Sequence, residues 1–133
     1  MLLVRTKLKA SPIHGFGLFA AERVPAGQVI WRFTPGLDAA LPLENIFSQP
    51  LVIQGFISRY CSLDPTRNCF IVYVDDARFI NHSFQPNVWL DKQQDILIAA
   101  KDIESGEEIT EDYSVTEWDG PNMVRNWIPN REE

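Results

Sequence analysis

Cysteine and histidine are scarce in this sequence of 133 residues, which has two of each. The two cysteines, Cys61 and Cys69, match neither the spacing of a zinc site nor the framework of a disulfide-stapled domain. We therefore interpret both cysteines as ordinary thiols. Because so few residues of these two types are present, we expect no metal site.

Long apolar runs are also absent, and no segment has the apolar length that a membrane-spanning helix requires. The first ten residues alternate apolar and basic side chains, which is typical of a strand and unlike a signal peptide. These absences predict a soluble, intracellular protein without a membrane partner, and a cytoplasmic one if its source is bacterial.

Basic residues are outnumbered, since 12 Lys and Arg stand against 18 Asp and Glu and give a formal net charge of −6. This excess of negative charge argues against non-specific affinity for the phosphate backbones of nucleic acids, so we expect no direct nucleic-acid binding. A basic partner is electrostatically favoured instead. The length and the 45% hydrophobic content suit a single domain with one core.

Turn-forming residues recur along the chain and separate short segments that have strand-like composition. Residues 69–74 are apolar, β-branched and aromatic, and they predict a buried strand. Residues 88–90 and 96–100 flank the polar turn 91–95 and predict a hairpin. The sequence thus predicts many short strands.

One segment departs from this pattern, because five apolar residues repeat at helical spacing after Pro50. They are Val52, Ile53, Phe56, Ile57 and Tyr60. We predict one amphipathic helix here, and we interpret its aromatic residues as core packing.

Residues 20–30 resemble residues 99–109 when the first segment is shifted by 79 positions, which aligns Gly27 with Gly106. Repeat architectures recur more than twice and at shorter periods. We interpret this similarity as shared turn chemistry between two segments of similar local structure.

Two polar or glycine-rich segments are candidates for chemistry. Residues 14–19 read HGFGLF, but two glycines separated by one residue occur in many turns, and a dinucleotide-binding turn would need a third glycine and a helix. Residues 78–87 read RFINHSFQPN and interrupt strand-like sequence with polar residues. The amide of Asn81 offers donors and an acceptor, so the Asn81-His82 pair is either a satisfied turn or part of a site.

Taken together, segments 15–20, 78–87 and 106–113 resemble the ordered motifs of the SET family, of which the central string is the most specific. The resemblance covers about residues 1–118, which we assign to the SET domain, and leaves residues 119–133 as a C-terminal tail. The chain is most similar to the small, stand-alone bacterial and viral SET proteins. The resemblance implies a mainly β fold of several small, mostly antiparallel sheets with one short helix. It also implies a C-terminal pseudoknot, in which residues 108–113 thread beneath the loop around residues 78–83.

The resemblance implies transfer of a methyl group from S-adenosylmethionine to the ε-amine of a lysine in a protein substrate. Tyr113 is the expected catalytic residue, as an orienting and electrostatic partner of the lysine. The glycine turn and Asn81 would meet the methionine end of the cofactor, and the backbone at His82 would meet the adenine. The full set of expected cofactor-binding residues is His14, Gly15, Phe16, Gly17, Arg78, Asn81, His82, Tyr113 and Trp118.

Three departures from the family pattern affect these expectations. Residues 114–133 carry Trp118 and other apolar residues and lack the cysteine-rich zinc segments that flank many relatives, so this segment either closes the active site or caps the core or forms a dimer contact. Glu111 stands where many relatives have an aromatic residue that influences product multiplicity, and it either meets the lysine nitrogen or points to solvent. Residues 33–36, FTPG, replace the usual aromatic-x-Gly at a strand end, which alters the expected substrate groove.

Two functions therefore remain open at the level of sequence. The first is a protein-lysine methyltransferase whose substrate lysine lies in a basic, flexible segment. The second is a non-catalytic SET-fold module that binds a peptide or a partner protein. A small-molecule methyltransferase is disfavoured, because a doubly wound cofactor-binding sheet would alternate strands with long helices. The intact Tyr113 favours the enzyme.

Overall fold

The computed structural model describes residues 1–64 and 66–113. Ten short strands and one α-helix follow one another in this part of the chain, together with 3-10 turns at Leu43–Asn45 and Asp76–Phe79. The strands are β1 (Thr6–Ala10), β2 (Phe16–Ala20), β3 (Val29–Arg32), β4 (Ala39–Pro42), β5 (Cys61–Asp64), β6 (Cys69–Val72), β7 (Asn81–His82), β8 (Val88–Asp91), β9 (Ile96–Ala99) and β10 (Thr110–Glu111), and the helix is α1 (Leu51–Tyr60).

The strands form four small sheets. Three are antiparallel, with the orders β1-β2, β3-β9-β8 and β4-β6-β5, and the fourth pairs β7 with β10 in parallel. This architecture confirms the predicted mainly β fold of small, mostly antiparallel sheets with one helix. The predicted hairpin corresponds to β8 and β9, and Asp95 at its turn adopts a positive φ of 53°. The predicted strands over 1–10 and 69–74 are shorter, as β1 and β6.

The helix α1 begins after Pro50, whose fixed φ suits a helix start, and its apolar residues are less buried than their spacing predicts. Ile57 is buried, but Val52 is 80% exposed and Phe56 is also exposed, so the interpretation of its aromatic side chains as core was wrong for Phe56. The core that α1 covers is small, since Ile57 packs there with residues of the β4-β6-β5 sheet. One turn of the helix is enough to cover it.

The larger core cluster joins the other sheets and contains Leu18, Val24, Ile30, Ile103 and Ile109, all fully buried. Within it, the two similar segments 20–30 and 99–109 pair with each other in antiparallel fashion. Val24 and Ile103 exchange two backbone hydrogen bonds of 2.8 Å each. The two segments of similar sequence are therefore also partners in space.

The segment that ends in β10 crosses the loop that follows β7. Thr110 and Glu111 pair with Asn81 and His82, and the Ser83 amide donates to the Glu111 carbonyl at 2.9 Å. On the other side, Asn87 holds the same segment with its side chain, donating to the Glu108 carbonyl at 2.8 Å and accepting from the Thr110 amide at 2.9 Å. The final motif is thereby fixed against the central one.

In the described part of the chain, no helix has both the length and the apolar character for a membrane crossing.

Candidate functional site

The glycine turn lies between β1 and β2 and closes with a hydrogen bond from the Ser11 amide to the Gly15 carbonyl, 2.8 Å long. Gly15 adopts a positive φ of 46°, a conformation that favours glycine. Gly17 is required for a different reason: a Cβ at this position would lie 2.1 Å from Oε1 of Glu108. The carbonyls of His14 and Phe16 in this turn therefore lie close to Glu108 and to any ligand bound beside it.

Asn81 begins β7 directly after the 3-10 turn Asp76–Phe79, and its side chain points back to the glycine turn. Its amide nitrogen donates to the carbonyls of His14 and Phe16 at 3.1 and 3.0 Å, and to Oε1 of Glu108 at 2.8 Å. The structure thus brings together the first two motifs, which are more than sixty positions apart in the sequence.

Glu108 is a site residue that sequence reasoning missed. Its two carboxylate oxygens accept from the Ser11 hydroxyl at 2.8 and 2.9 Å, in addition to the bond from Asn81. The carboxylate thereby connects the turn before β2, the start of β7 and the segment before β10. The combination of a glycine at position 17 and a glutamate at position 108 becomes informative only once the two residues are known to be in contact.

Tyr113 follows β10 and lies against β7. Its amide donates to Nδ1 of His82 at 3.1 Å, and its hydroxyl donates to the backbone carbonyl of Ile80. The ring centroids of Tyr113 and His82 lie 5.4 Å apart. The imidazole of His82 therefore supports Tyr113, in agreement with the structural role expected for this side chain.

Arg78 lies on a row of aromatic rings and not in the hydrogen-bond network of Asn81. Its guanidinium carbon is 5.0 Å from the ring centroid of Phe79 and 5.8 Å from that of Tyr60. Within the described residues, its buried Nε has no hydrogen-bond partner. The Phe79 ring in turn contacts Phe16, with centroids 6.5 Å apart. The structure therefore connects Arg78 to the glycine turn only through aromatic packing, and its role in cofactor binding stays a prediction.

Glu111 is buried, with 8% of its surface exposed, so it does not point to solvent. It lies in the electrostatic neighbourhood of Tyr73, another residue that sequence reasoning did not select. Burial is the main cause that raises the pKa of the Tyr73 phenol above its ordinary range, and the negative charge of Glu111 is the next. The Tyr73 hydroxyl pairs with the Ser62 hydroxyl, the two oxygens being 2.8 Å apart.

A groove opens on the other side of Tyr73, between the β3-β9-β8 sheet and the strands β5 and β6. Its walls combine aromatic, aliphatic and acidic side chains with one lysine. They are Trp31, Phe33, Ser62, Leu63, Asp64, Ile71, Tyr73, Leu90, Lys92 and Asp95. Phe33 of the unusual FTPG segment lines this groove. Burial, the negative charge of Glu111 and, more weakly, Tyr113 when its phenol is ionised all raise the pKa of Tyr73.

Some predicted features lie outside the described residues, namely Trp118, the tail 119–133 and the domain boundary at 118. For the metal, the described segments 1–64 and 66–113 hold no group of three His, Cys, Asp or Glu side chains placed as ligands. Cys61 and Cys69 are both free and buried.

The sequence is similar to a known family and to its curated members. The SET domain model matches residues 15–114. An H3 lysine-4 specific histone-lysine N-methyltransferase of Aspergillus oryzae is 31% identical over 128 residues, covering 86% of this chain and 10% of the relative. Histone-lysine N-methyltransferase set1 of Dictyostelium discoideum is 33% identical over 117 residues, covering 82% of this chain and 8% of the relative. The chain thus spans about a tenth of the length of these relatives.

Solved structures with the same fold include chains of the Polycomb Repressive Complex 2 of Chaetomium thermophilum. One, a humanized mutant bound to an inhibitor, has a TM-score of 0.65 at 22% identity and covers 92% of this chain and 16% of that one. Another, in an autoinhibited conformation bound to S-adenosylmethionine, has a TM-score of 0.67 at 21% identity and covers 94% of this chain and 16% of that one.

Proposed function

Because the chain belongs to the SET domain family, we propose that it transfers a methyl group from S-adenosylmethionine to the ε-amine of a lysine in a protein substrate. The observation that carries the proposal is the convergence of three distant segments. The glycine turn, Asn81 and Tyr113 meet around the β7-β10 pair, and Glu108 links the first two directly.

The residues around Asn81 fit the methionine end of this cofactor. The amide nitrogen of Asn81 is already occupied by three acceptors, whereas no described side chain or amide donates to its oxygen Oδ1. An amide oxygen beside a carboxylate suits an ammonium group, and the net charge of −6 also favours a cationic ligand. The cofactor would supply, when bound, a methyl group activated by its sulfonium.

Tyr113 is suited to orient the attacking amine. Its hydroxyl donates to the Ile80 carbonyl, and a phenol oxygen can also accept a hydrogen bond from an incoming amine. A bond of this kind would hold the nitrogen in line for attack. It would also place negative electrostatic potential beside a methyl group that carries partial positive charge in the transition state.

The groove beside Tyr73 supports a lysine as the acceptor. A lysine must be neutral to attack, and the aromatic walls of Trp31, Phe33 and Tyr73 would lower its pKa by desolvation. The net charge of −6 would favour a basic segment around the lysine. We therefore propose an extended, basic stretch of a protein as the substrate.

Incubation with tritium-labelled S-adenosylmethionine and a mixture of basic proteins tests the proposal. We expect label on protein for the unmodified chain and little label for Tyr113→Phe. Amino-acid analysis of the product should place the label on methylated lysine. Cofactor binding without any label on protein would instead support a non-catalytic SET-fold module.

A further inference from the structure

We propose that Glu108 is a positioning residue that fixes the orientation of the Asn81 side chain for cofactor binding. In this role Glu108 does not touch the cofactor but turns the amide nitrogen of Asn81 toward the protein and its oxygen Oδ1 toward the ligand. The inference rests on the proposed function, because it concerns the site of the same cofactor. It goes further by assigning a role to a carboxylate of motif 106–113 that was not among the expected cofactor-binding residues.

The surroundings of Asn81 permit one orientation of its amide. Three acceptors lie around Nδ2, namely the carbonyls of His14 and Phe16 and the carboxylate of Glu108. Turning the amide over would place its oxygen against three other oxygens, one of them charged. Since that arrangement replaces every hydrogen bond with a repulsion, the nitrogen must face the protein. The contact with Glu108 is the shortest of the three and is charge-assisted, so it contributes most to this preference.

Glu108 is itself held in place from two sides. The Ser11 hydroxyl donates to its carboxylate at 2.8 and 2.9 Å. The same hydroxyl oxygen accepts from the amide of Ile13 at 3.0 Å, which anchors it within the turn. Gly17 leaves room for the carboxylate, because a Cβ there would lie 2.1 Å from Oε1. The carboxylate therefore has a fixed location from which it can orient Asn81.

This arrangement leaves the oxygen of Asn81 as the group that faces a ligand. Among the described residues, no donor occupies Oδ1 of Asn81. A ligand with an ammonium group, such as the amino-acid end of S-adenosylmethionine, would find a preoriented acceptor there. Without Glu108 the amide could rotate, and part of the binding free energy would be lost in ordering it again.

Calorimetric titration of the cofactor-free chain with S-adenosylmethionine tests the role without depending on turnover. Glu108→Ala should raise the Kd about tenfold or more, the scale of a lost charge-assisted hydrogen bond. Glu108→Gln should stay within about threefold, because one side-chain oxygen can still accept from Asn81. Glu107→Gln, at an exposed neighbouring position, is the control for loss of one negative charge.

A double variant separates positioning from a general structural effect. If Glu108 acts through Asn81, Glu108→Ala should cause no further loss of affinity in a chain that already carries Asn81→Ala. Additive losses would overturn the inference, and so would a Glu108→Gln variant as weak as Glu108→Ala. Nitrogen NMR gives a second readout, because the side-chain amide signal of Asn81 should shift more in Glu108→Ala, which removes the acceptor, than in Glu108→Gln, which keeps an acceptor and loses only the charge.

Two further results are decisive. If Glu108→Ala does not fold, Ser11→Ala takes its place, because it removes the hydroxyl that holds the Glu108 carboxylate. A loss of affinity in Ser11→Ala that disappears in the Asn81→Ala background supports the inference. An unchanged Kd in Ser11→Ala overturns it. Absence of cofactor binding by the unmodified chain would overturn the proposed function. Normal binding that is indifferent to Glu108→Ala would overturn only the positioning role.

Discussion

The hydroxyl of Tyr113 donates its proton to the backbone carbonyl of Ile80, the residue directly before Asn81. This bond joins the expected catalytic residue to the strand that carries the expected cofactor ligand. The direction of the bond matters, because a phenol oxygen that donates its proton can act toward a substrate amine only as an acceptor. The role of Tyr113 can therefore be tested at one oxygen atom.

Tyr113→Phe should lower kcat by on the order of a hundredfold, since it removes one preorganised group while it keeps the ring. Cofactor affinity should be nearly unchanged, and loss of the bond to Ile80 should cost about 1 kcal/mol of stability. Single-turnover methyl transfer, calorimetry and chemical denaturation measure the three quantities. Near-normal turnover in Tyr113→Phe would contradict the assignment.

S-adenosylmethionine should raise the unfolding temperature of the chain, because a ligand selective for the folded state stabilises it. At a hundredfold excess over Kd the gain is about 2.7 kcal/mol. Asn81→Ala should lose most of this shift, since it removes the acceptor expected to meet the cofactor. Thermal melts with and without cofactor provide the measurement, and an unmodified chain whose melting does not respond to saturating cofactor would argue against the site.

Salt should slow methylation of basic peptides, because opposite charges accelerate encounter and salt screens them. The net charge of −6 is the physical reason. We expect kcat/KM to fall from low to physiological ionic strength for a basic peptide, and to change less for a matched peptide with neutral flanks. Equal salt dependence for both peptides would contradict the charge argument.

Tyr73 should make stability fall at alkaline pH. Its folded pKa is raised by burial and then by the charge of Glu111, so the unfolded chain releases this proton at lower pH than the folded chain does. The contribution to stability is therefore complete below the ordinary tyrosine pKa of about 10 and is lost above it. Denaturation curves from pH 8 to alkaline pH should fall less steeply for Tyr73→Phe, and to a smaller degree for Glu111→Gln. Parallel curves for all three proteins would show that Tyr73 does not titrate differently on folding.

Cys61 should resist alkylation while the chain is folded. Burial is the main cause that raises the pKa of its thiol from 9.0 to about 12, against the opposing charge of Arg78. At pH 8 the reactive thiolate should therefore be depleted by about a hundredfold or more relative to the unfolded chain. The same shift makes folding less favourable as pH rises from about 9 to about 12. Iodoacetamide labelling of Cys69→Ser with and without denaturant measures the effect, and equal rates would contradict it.

Much of the fold follows from local patterns. The hairpin of β8 and β9 and the start of α1 after Pro50 were predicted because each depends on neighbours in the sequence. The exposure of Phe56 was not predicted, because helical spacing identifies an apolar face but not the amount of core that this face covers. The size of that core depends on a sheet formed by other segments.

The residues of the site likewise divide into those that could be predicted from the sequence and those that could not. Motifs 15–17, 81–82 and 113 could be selected from sequence through their resemblance to a family, and the structure brings these segments together. Glu108 and Tyr73 could not be selected. The importance of Glu108 arises from contacts with Ser11, 97 positions away, and with Asn81. Likewise, Glu111 acts on Tyr73 through proximity that no local pattern encodes.

The parallel pairing of β10 with β7 has a consequence for the order of assembly. Parallel partners need a long connection, and here the strands are separated by the whole hairpin of β8 and β9. Pairing β7 with β10 therefore costs more loop entropy than closing the hairpin of β8 and β9, whose strands are joined by a short turn. The acceptor for the Ser83 amide and the position of Tyr113 both depend on this pairing. A chain that has formed only its hairpins is therefore still without a complete site, and it gains the site when β10 pairs with β7.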